Sequence, residues 1–273
     1  MKGLKTRAIS AVFFVVIVVS SIYASMTTAM ILISIICGLC LKEFYQINLK
    51  KETNNTLRSW LYLTLSFFAF LLAFGHFKEG NLFNIALEKH ALVSVLFIPL
   101  LLVIELYLKS QNPFENVGKF ALGLFYIAIP LSLLSSIVFI PDYQPNKFMG
   151  ILLLIWSNDT FAYLVGSKIG KNKLFPRISP GKTWEGTFGG GICTLFVAVG
   201  LSYLFGGWGM IDWIIIGLIC SAFGTIGDLV ESMLKRSKGI KDSGNMMPGH
   251  GGALDRFDAF IFVLPYIYVY LQF

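Results

Sequence analysis

The chain has 273 residues, of which 56% are hydrophobic and only 14% charged, with a formal net charge of +7. Soluble domains average about a quarter charged residues, so this composition excludes a soluble globular protein, and the length leaves no room for a large soluble domain beside a membrane one. The expected fold class is all-α: a polytopic integral membrane helical bundle forming one domain over residues 1–273.

Apolar runs recur at about 8–24, 26–41, 58–75, 91–108, 119–140, 148–167, 187–205, 211–230 and 258–273, predicting about nine spanning helices. Helices are expected because alternating outward-apolar strands are absent and a spanning backbone must satisfy its own hydrogen bonds. The first two runs are short for a core of about 30 Å, and Ser25–Thr28 is read as the break between them. No small-x-small cleavage site stands near Tyr23, so the first span is read as uncleaved. With the N-terminus in the cytoplasm, 19 of the 22 basic residues fall on the cytoplasmic side; only Lys78, Lys89 and Lys147 lie outside. This asymmetry sets the orientation by the positive-inside rule and puts the C-terminus outside. A basic cytoplasmic face suits anionic headgroups and phosphorylated ligands; no aromatic-basic motif for nucleic acid occurs.

The first half, about 1–145, carries little chemistry. Cys37 and Cys40 have C-x-x-C spacing, but these and Cys193 and Cys220 lie in predicted spans and read as buried hydrophobes. Glu105 reads as a snorkelling carboxylate at a helix end, and His76 and His90 as solvated loop residues.

The second half, about 146–273, holds three polar clusters. In "WSNDTFAYLVGSKIG", Trp156 to Gly170, Asp159 falls midway along a span. An ionised carboxylate there costs roughly 2.5–3.5 kcal/mol on insertion scales, so it must face a polar cavity or a partner. Tyr163, four residues on, shares its helix face. The second cluster, "KIGKNKLFPRISPGKTWEGTFGGG" from Lys168, begins as a basic loop. Ser179, Lys182 and Thr183 read as a turn feeding a helix start, where free N–H groups, hydroxyls and a lysine suit a phosphate. It is not a P-loop, because the leading glycine is missing. Glu185, three residues after Lys182, is expected to pair with it.

The third cluster runs from Gly224 to Asp258. Asp228, Glu231 and Lys235 make one stripe of a helix, and Asp255 and Asp258 start the last span. Between them lies a glycine-rich loop with Lys241, Asp242 and His250. Carboxylates on two helices flanking such a loop can hold a divalent cation, and a set rich in oxygen and poor in sulfur and imidazole favours Mg2+ over zinc.

The stretch "KRSKGIKDSGNMMPGHGGALDRFD", Lys235 to Asp258, resembles the signature of the phosphatidate cytidylyltransferases, also called CDP-diacylglycerol synthases. Met247 and Ala253 depart from it, at positions that carry no polar chemistry. Trp156, Asp159, Thr160, Ala162 and Tyr163, and then Ser179, Pro180, Lys182, Thr183, Glu185 and Gly186, are also similar to that family. The resemblance covers about 156–258 and implies transfer of CMP from CTP to phosphatidic acid, giving CDP-diacylglycerol and pyrophosphate. It further implies Mg2+, a bacterial-type inner membrane with the site facing the cytoplasm, and a homodimer. On that reading Asp228 and Asp255, with Glu231 and Asp258, are the metal residues. Lys235, Lys241, His250 and Arg256 act on the reacting phosphates, and Ser179, Lys182, Thr183, Arg236, Asp159, Tyr163 and Glu185 bind substrate. Two other readings remain: a CTP-dependent kinase of a polyprenol or phytol, and an ion-coupled transporter using Asp159 as a relay. No matched pair of broken helices supports the latter.

Overall fold

The structure, a computed structural model, describes residues 2–49, 55–76, 96–139, 142–246 and 251–273. His90, His250, Met247 and the first residues of the expected 91–108 span lie outside the described residues. Among those described, the helices are α1 (Lys2–Ala24), α2 (Met26–Leu49), α3 (Asn55–His76), α4 (Leu96–Tyr107), α5 (Pro113–Gly123), α6 (Ile129–Val138), α7 (Pro145–Ile169), α8 (Trp184–Leu204), α9 (Met210–Ser237) and α10 (Leu254–Tyr270). A π-helical turn, Leu124–Ala128, joins α5 to α6, so Pro113–Val138 is one continuous rod. Among the described residues, six helices are long and apolar enough to cross a membrane: α2, α3, the Pro113–Val138 rod, α7, α8 and α9.

The break between the first two helices is one residue wide. Thr28 donates its backbone N–H to Ser25 Oγ (3.1 Å), and Ser25 donates its own to Thr28 Oγ1 (3.0 Å). These reciprocal bonds satisfy two amides that a helix start would leave bare. The second helix then runs eight residues beyond the expected end at 41, which carries Glu43 into the interior.

Two features correct the sequence reading. The chain is not purely helical: β1 (Lys173–Phe175) and β2 (Ser179–Thr183) form an antiparallel hairpin between α7 and α8. Residues expected to form a turn are a strand, because outside the helix bundle a polar segment satisfies its backbone by pairing with its neighbour. Glu105 does not snorkel. It is 1% exposed and accepts from Arg58 Nε (2.7 Å), Tyr62 Oη (2.9 Å) and Asn116 Nδ2 (3.3 Å). Arg58, read only as a topogenic charge, is fully buried opposite it.

The 28-residue α9 is about 42 Å long, more than a core of about 30 Å requires. Asp228, Glu231 and Lys235 therefore sit on its far turns, near one face of the bundle. At its start Asp212 accepts from the Gly209 amide (3.0 Å) and from Tyr270 Oη (2.7 Å), tying α9 to the end of α10. The last helix lies in the centre of the bundle: Phe257, Phe260, Ile261, Val263 and Leu264 are all buried against α9, α6 and α2.

Candidate active site

Small residues bring α7 and α8 into close contact. A Cβ at Gly186 would lie 2.6 Å from the Ala162 carbonyl oxygen and 3.0 Å from Gly166 Cα; one at Gly190 would lie 2.9 Å from the Ala162 nitrogen. Side chains there would wedge the helices apart. The contact seats the start of α8, capped by Thr183, whose Oγ1 accepts from the Gly186 amide (3.1 Å). Glu185 turns away from Lys182. It accepts from the backbone amides of Lys171 (3.1 Å) and Asn172 (3.1 Å) and from Asn172 Nδ2 (2.7 Å), fixing the approach to the hairpin. The expected pairing fails because Lys182 belongs to a strand, where the helical i, i+3 relation does not apply.

Lys182 instead points across to α9. Its ammonium forms an ion pair with Asp228 and donates to the Thr225 carbonyl (3.4 Å). It stands in a cavity of about 500 Å³ enclosed by α7, the hairpin, the start of α8 and the last turns of α9. Asp159, Tyr163, Ser179, Thr183 and Asp228 also line this space. Asp159 is exposed within it, and the Tyr163 side chain is 74% exposed, so both sequence-predicted residues of this face look into one space. That meets the energetic demand of a carboxylate midway along a spanning helix: it shares a cavity with the Lys182 ammonium. Behind it, buried Asn158 donates to Thr225 Oγ1 (3.2 Å), bracing α7 on α9.

Beyond Asp228 lies a denser group of acids. Gly227 lets α10 approach, since a Cβ there would sit 2.6 Å from Phe262 Cβ and 3.2 Å from Ala259 Cα. In consequence Asp228, Glu231 and Asp258 each present a carboxylate oxygen within 4.8 Å of the other two. Glu231 is fully buried and Asp258 is 7% exposed. Lys235 pairs with Glu231 Oε2, while Glu231 Oε1 is buried with no donor. Three carboxylates so close repel strongly, and burial raises the cost. A hard divalent cation relieves both, and an all-oxygen donor set fits Mg2+ or Ca2+ better than zinc.

Asp255 stands apart from this trio. Its Oδ1 accepts from Lys235 Nζ (2.6 Å), and its Oδ2 from the amides of Ser243 (2.8 Å) and Gly252 (2.7 Å) and from Ser243 Oγ (3.0 Å). It holds the loop between α9 and α10. Lys235 lies buried between Glu231 and Asp255 rather than in the cavity. Arg236 links the hairpin to that loop, donating to the carbonyls of Ile178 (3.4 Å) and Ile240 (3.1 Å). Lys241 and Arg256 are exposed. The structure thus brings together Asp159, Tyr163, Ser179, Lys182, Thr183 and Asp228 around the cavity, and Glu231 and Asp258 beside it. Asp255, Lys235, Arg236 and Glu185 form the frame.

Sequence reasoning missed Glu43, Ser243, Thr225 and Tyr126. Glu43 accepts from Ser243 Oγ (2.8 Å) and from the amides of Ala253 (2.9 Å) and Leu254 (3.0 Å). Tyr126, on the π turn, has a buried hydroxyl with no hydrogen-bond partner and lies close enough to Asp258, Glu231 and Asp228 to feel their charge.

The sequence profile described as "Cytidylyltransferase family" matches residues 5–273. The chain belongs to the cytidylyltransferase family. Relatives named phosphatidate cytidylyltransferase include one from Bacillus subtilis (strain 168), 38% identical over 220 residues, or 78% of this chain and 75% of that one. Another, from Staphylococcus aureus (strain COL), is 33% identical over 98% of this chain and 99% of its own. A third, from Staphylococcus saprophyticus, is 39% identical over 68% of this chain and 70% of its own. The family match extends through the apolar first half, where the sequence motifs were silent.

Proposed function

We propose that this cytidylyltransferase is a phosphatidate cytidylyltransferase of the cell inner membrane, converting CTP and phosphatidic acid to CDP-diacylglycerol and pyrophosphate. The observation that carries the reading is the juxtaposition of Lys182, Asp159 and Asp228 in one cavity with the Asp228, Glu231 and Asp258 carboxylates at its edge. The basic-residue asymmetry supports about nine spans with the cavity opening to the cytoplasm, where CTP is found.

In the reaction an oxygen of the phosphatidate phosphate bonds to the α-phosphorus of CTP. The bond from that phosphorus to the bridging oxygen breaks, and pyrophosphate leaves with the electron pair. The nucleophile is already anionic near neutral pH, so no strong base is required. The barrier lies in bringing two polyanions into line, and catalysis is positioning and charge neutralisation. Asp228, Glu231 and Asp258 would hold Mg2+, which supplies Lewis-acid neutralisation of phosphate oxygens. Lys182 offers its ammonium to the phosphate chain, exchanging Asp228 for substrate. Ser179 offers a hydroxyl from the hairpin. Asp159 and Tyr163 line the wall opposite Lys182. Lys235 and Asp255 keep the acidic edge and the loop in register.

The test is incubation of the purified protein with phosphatidic acid, α-labelled CTP and Mg2+. Label should move into lipid with release of pyrophosphate. Production of CDP with γ-phosphate transfer to a polyprenol would identify a lipid kinase instead. Ion flux across liposomes without CTP chemistry would identify a transporter.

A further inference from the structure

The start of α10 carries Asp255 and Asp258, yet it has no side-chain cap of its own: Ala253 stands at the cap position. A helix start leaves amides unpaired and concentrates partial positive charge. Here both needs are met from α2. The Glu43 carboxylate accepts from the Ala253 amide on one oxygen, and from the Leu254 amide and Ser243 Oγ on the other. The glycines of the loop are shaped around it. A Cβ at Gly252 would run into Glu43 Oε2, and one at Gly244 would come within 2.5 Å of Oε1. Ser243 then bonds Asp255, Asp255 bonds Lys235, and Lys235 pairs with Glu231 of the acidic trio. An unbroken chain of polar contacts thus runs from α2 to the edge of the cavity.

We propose that Glu43 is a positioning residue for the transfer reaction. As a cap donated from the first half of the molecule, it sets the axial placement of α10 and holds Ser243 against it, and so aims Asp258 at Asp228 and Glu231. The inference rests on the reaction assigned above, but concerns this chain's own geometry. Glu43 touches no reacting atom in this role, so its loss slows turnover without weakening substrate capture. A glutamine replaces it only in part, because its one oxygen still accepts while its NH2 group would face a backbone N–H on the other side.

The experiment compares wild-type protein with Glu43→Gln and Glu43→Ala, by steady-state kinetics, thermal unfolding in detergent and amide hydrogen exchange. The expected result is a drop in kcat of about 10- to 100-fold with KM for both substrates within about twofold, together with faster exchange confined to peptides covering 243–257. Wild-type kcat in the folded variants would overturn the proposal. So would exchange that quickens throughout the bundle in step with lost activity, since that describes only a fold-holding residue. If the Glu43 variants do not fold, Gly252→Ala probes the same contact from the loop side; a matching kcat loss supports the proposal and wild-type turnover overturns it. A wild-type protein that moved no label into lipid would count against the assigned reaction instead, and the exchange comparison would then decide the role of Glu43 alone.

Discussion

Two buried acid–base clusters, one in each half of the molecule, differ in their charge balance. In the first half Glu105 meets Arg58 at 2.7 Å, and hydroxyl and amide donors from Tyr62 and Asn116 complete its shell. In the second half four acids, Asp159, Asp228, Glu231 and Asp258, stand near three cations, Lys182, Lys235 and Arg256, and Asp159 and Asp228 line a cavity of about 500 Å³. The first cluster is balanced and closed, and the second is acid-rich and open. A matched buried pair locks helices together, while an excess of buried negative charge is relieved by protonation or by a bound cation. Charge inside the bundle therefore marks a site only where it is left uncompensated.

The largest expected effect tests the open cluster. Asp258→Asn and Asp228→Asn should abolish label transfer, by about a thousandfold or more in kcat if they hold the cation that neutralises both substrates. Removing one of three repelling carboxylates should leave thermal stability without Mg2+ unchanged or higher. Full turnover by either purified variant at saturating Mg2+ would remove that residue from the cation site. The closed cluster should behave in the opposite way. Glu105→Gln strands the buried Arg58 and should cost about 3–5 kcal/mol of stability, measured by unfolding in detergent, while the molecules that remain folded keep wild-type kcat.

Lys182→Met comes next, with an expected loss of about a hundredfold in kcat. Lys182→Arg should recover part of it, because the charge is kept while the geometry is not. Magnesium itself supplies a smaller and cleaner measure. At about 100 times its dissociation constant it should stabilise the wild type by about 2.7 kcal/mol and leave Asp258→Asn unmoved in the same melt. Smallest is Gly190→Ala. Wedging α7 from α8 should cost about 1–3 kcal/mol and lower turnover modestly, read from paired melting and rate measurements.

Much of the site was legible before any coordinates. Asp159 and Tyr163 share a helix face and do line one cavity, because four-residue spacing on a helix is a geometric certainty once the helix exists. Asp228 and Glu231, three residues apart, meet on a helix face in the same way. Lys182 lines the same cavity, but with another neighbour than the expected one: local spacing offers Glu185, whereas the hairpin turns the lysine toward Asp228, 46 residues away in sequence. Of the acids at the start of the last span, the sequence reading puts Asp255 first as the partner of Asp228 at the metal and Asp258 second, whereas the structure groups Asp258 with Asp228 and Glu231. The structure separates them, since one helical turn decides which looks to the loop and which to α9. Glu43 was invisible because its three partners lie 200 residues or more away.

The sequence by itself determined a membrane-embedded helical protein, the order of its apolar segments and the family of its polar second half. Hydropathy and i, i+4 spacing act over a few residues and need no partner. Only the tertiary structure decided which charges are paired with each other and which face the cavity. That allocation depends on how closely helices approach at Gly186, Gly190 and Gly227, and on a carboxylate from α2 reaching across the bundle to cap α10. Pairing energies in a low-dielectric interior change steeply with distance, so roles that look identical along the chain diverge once the helices are packed.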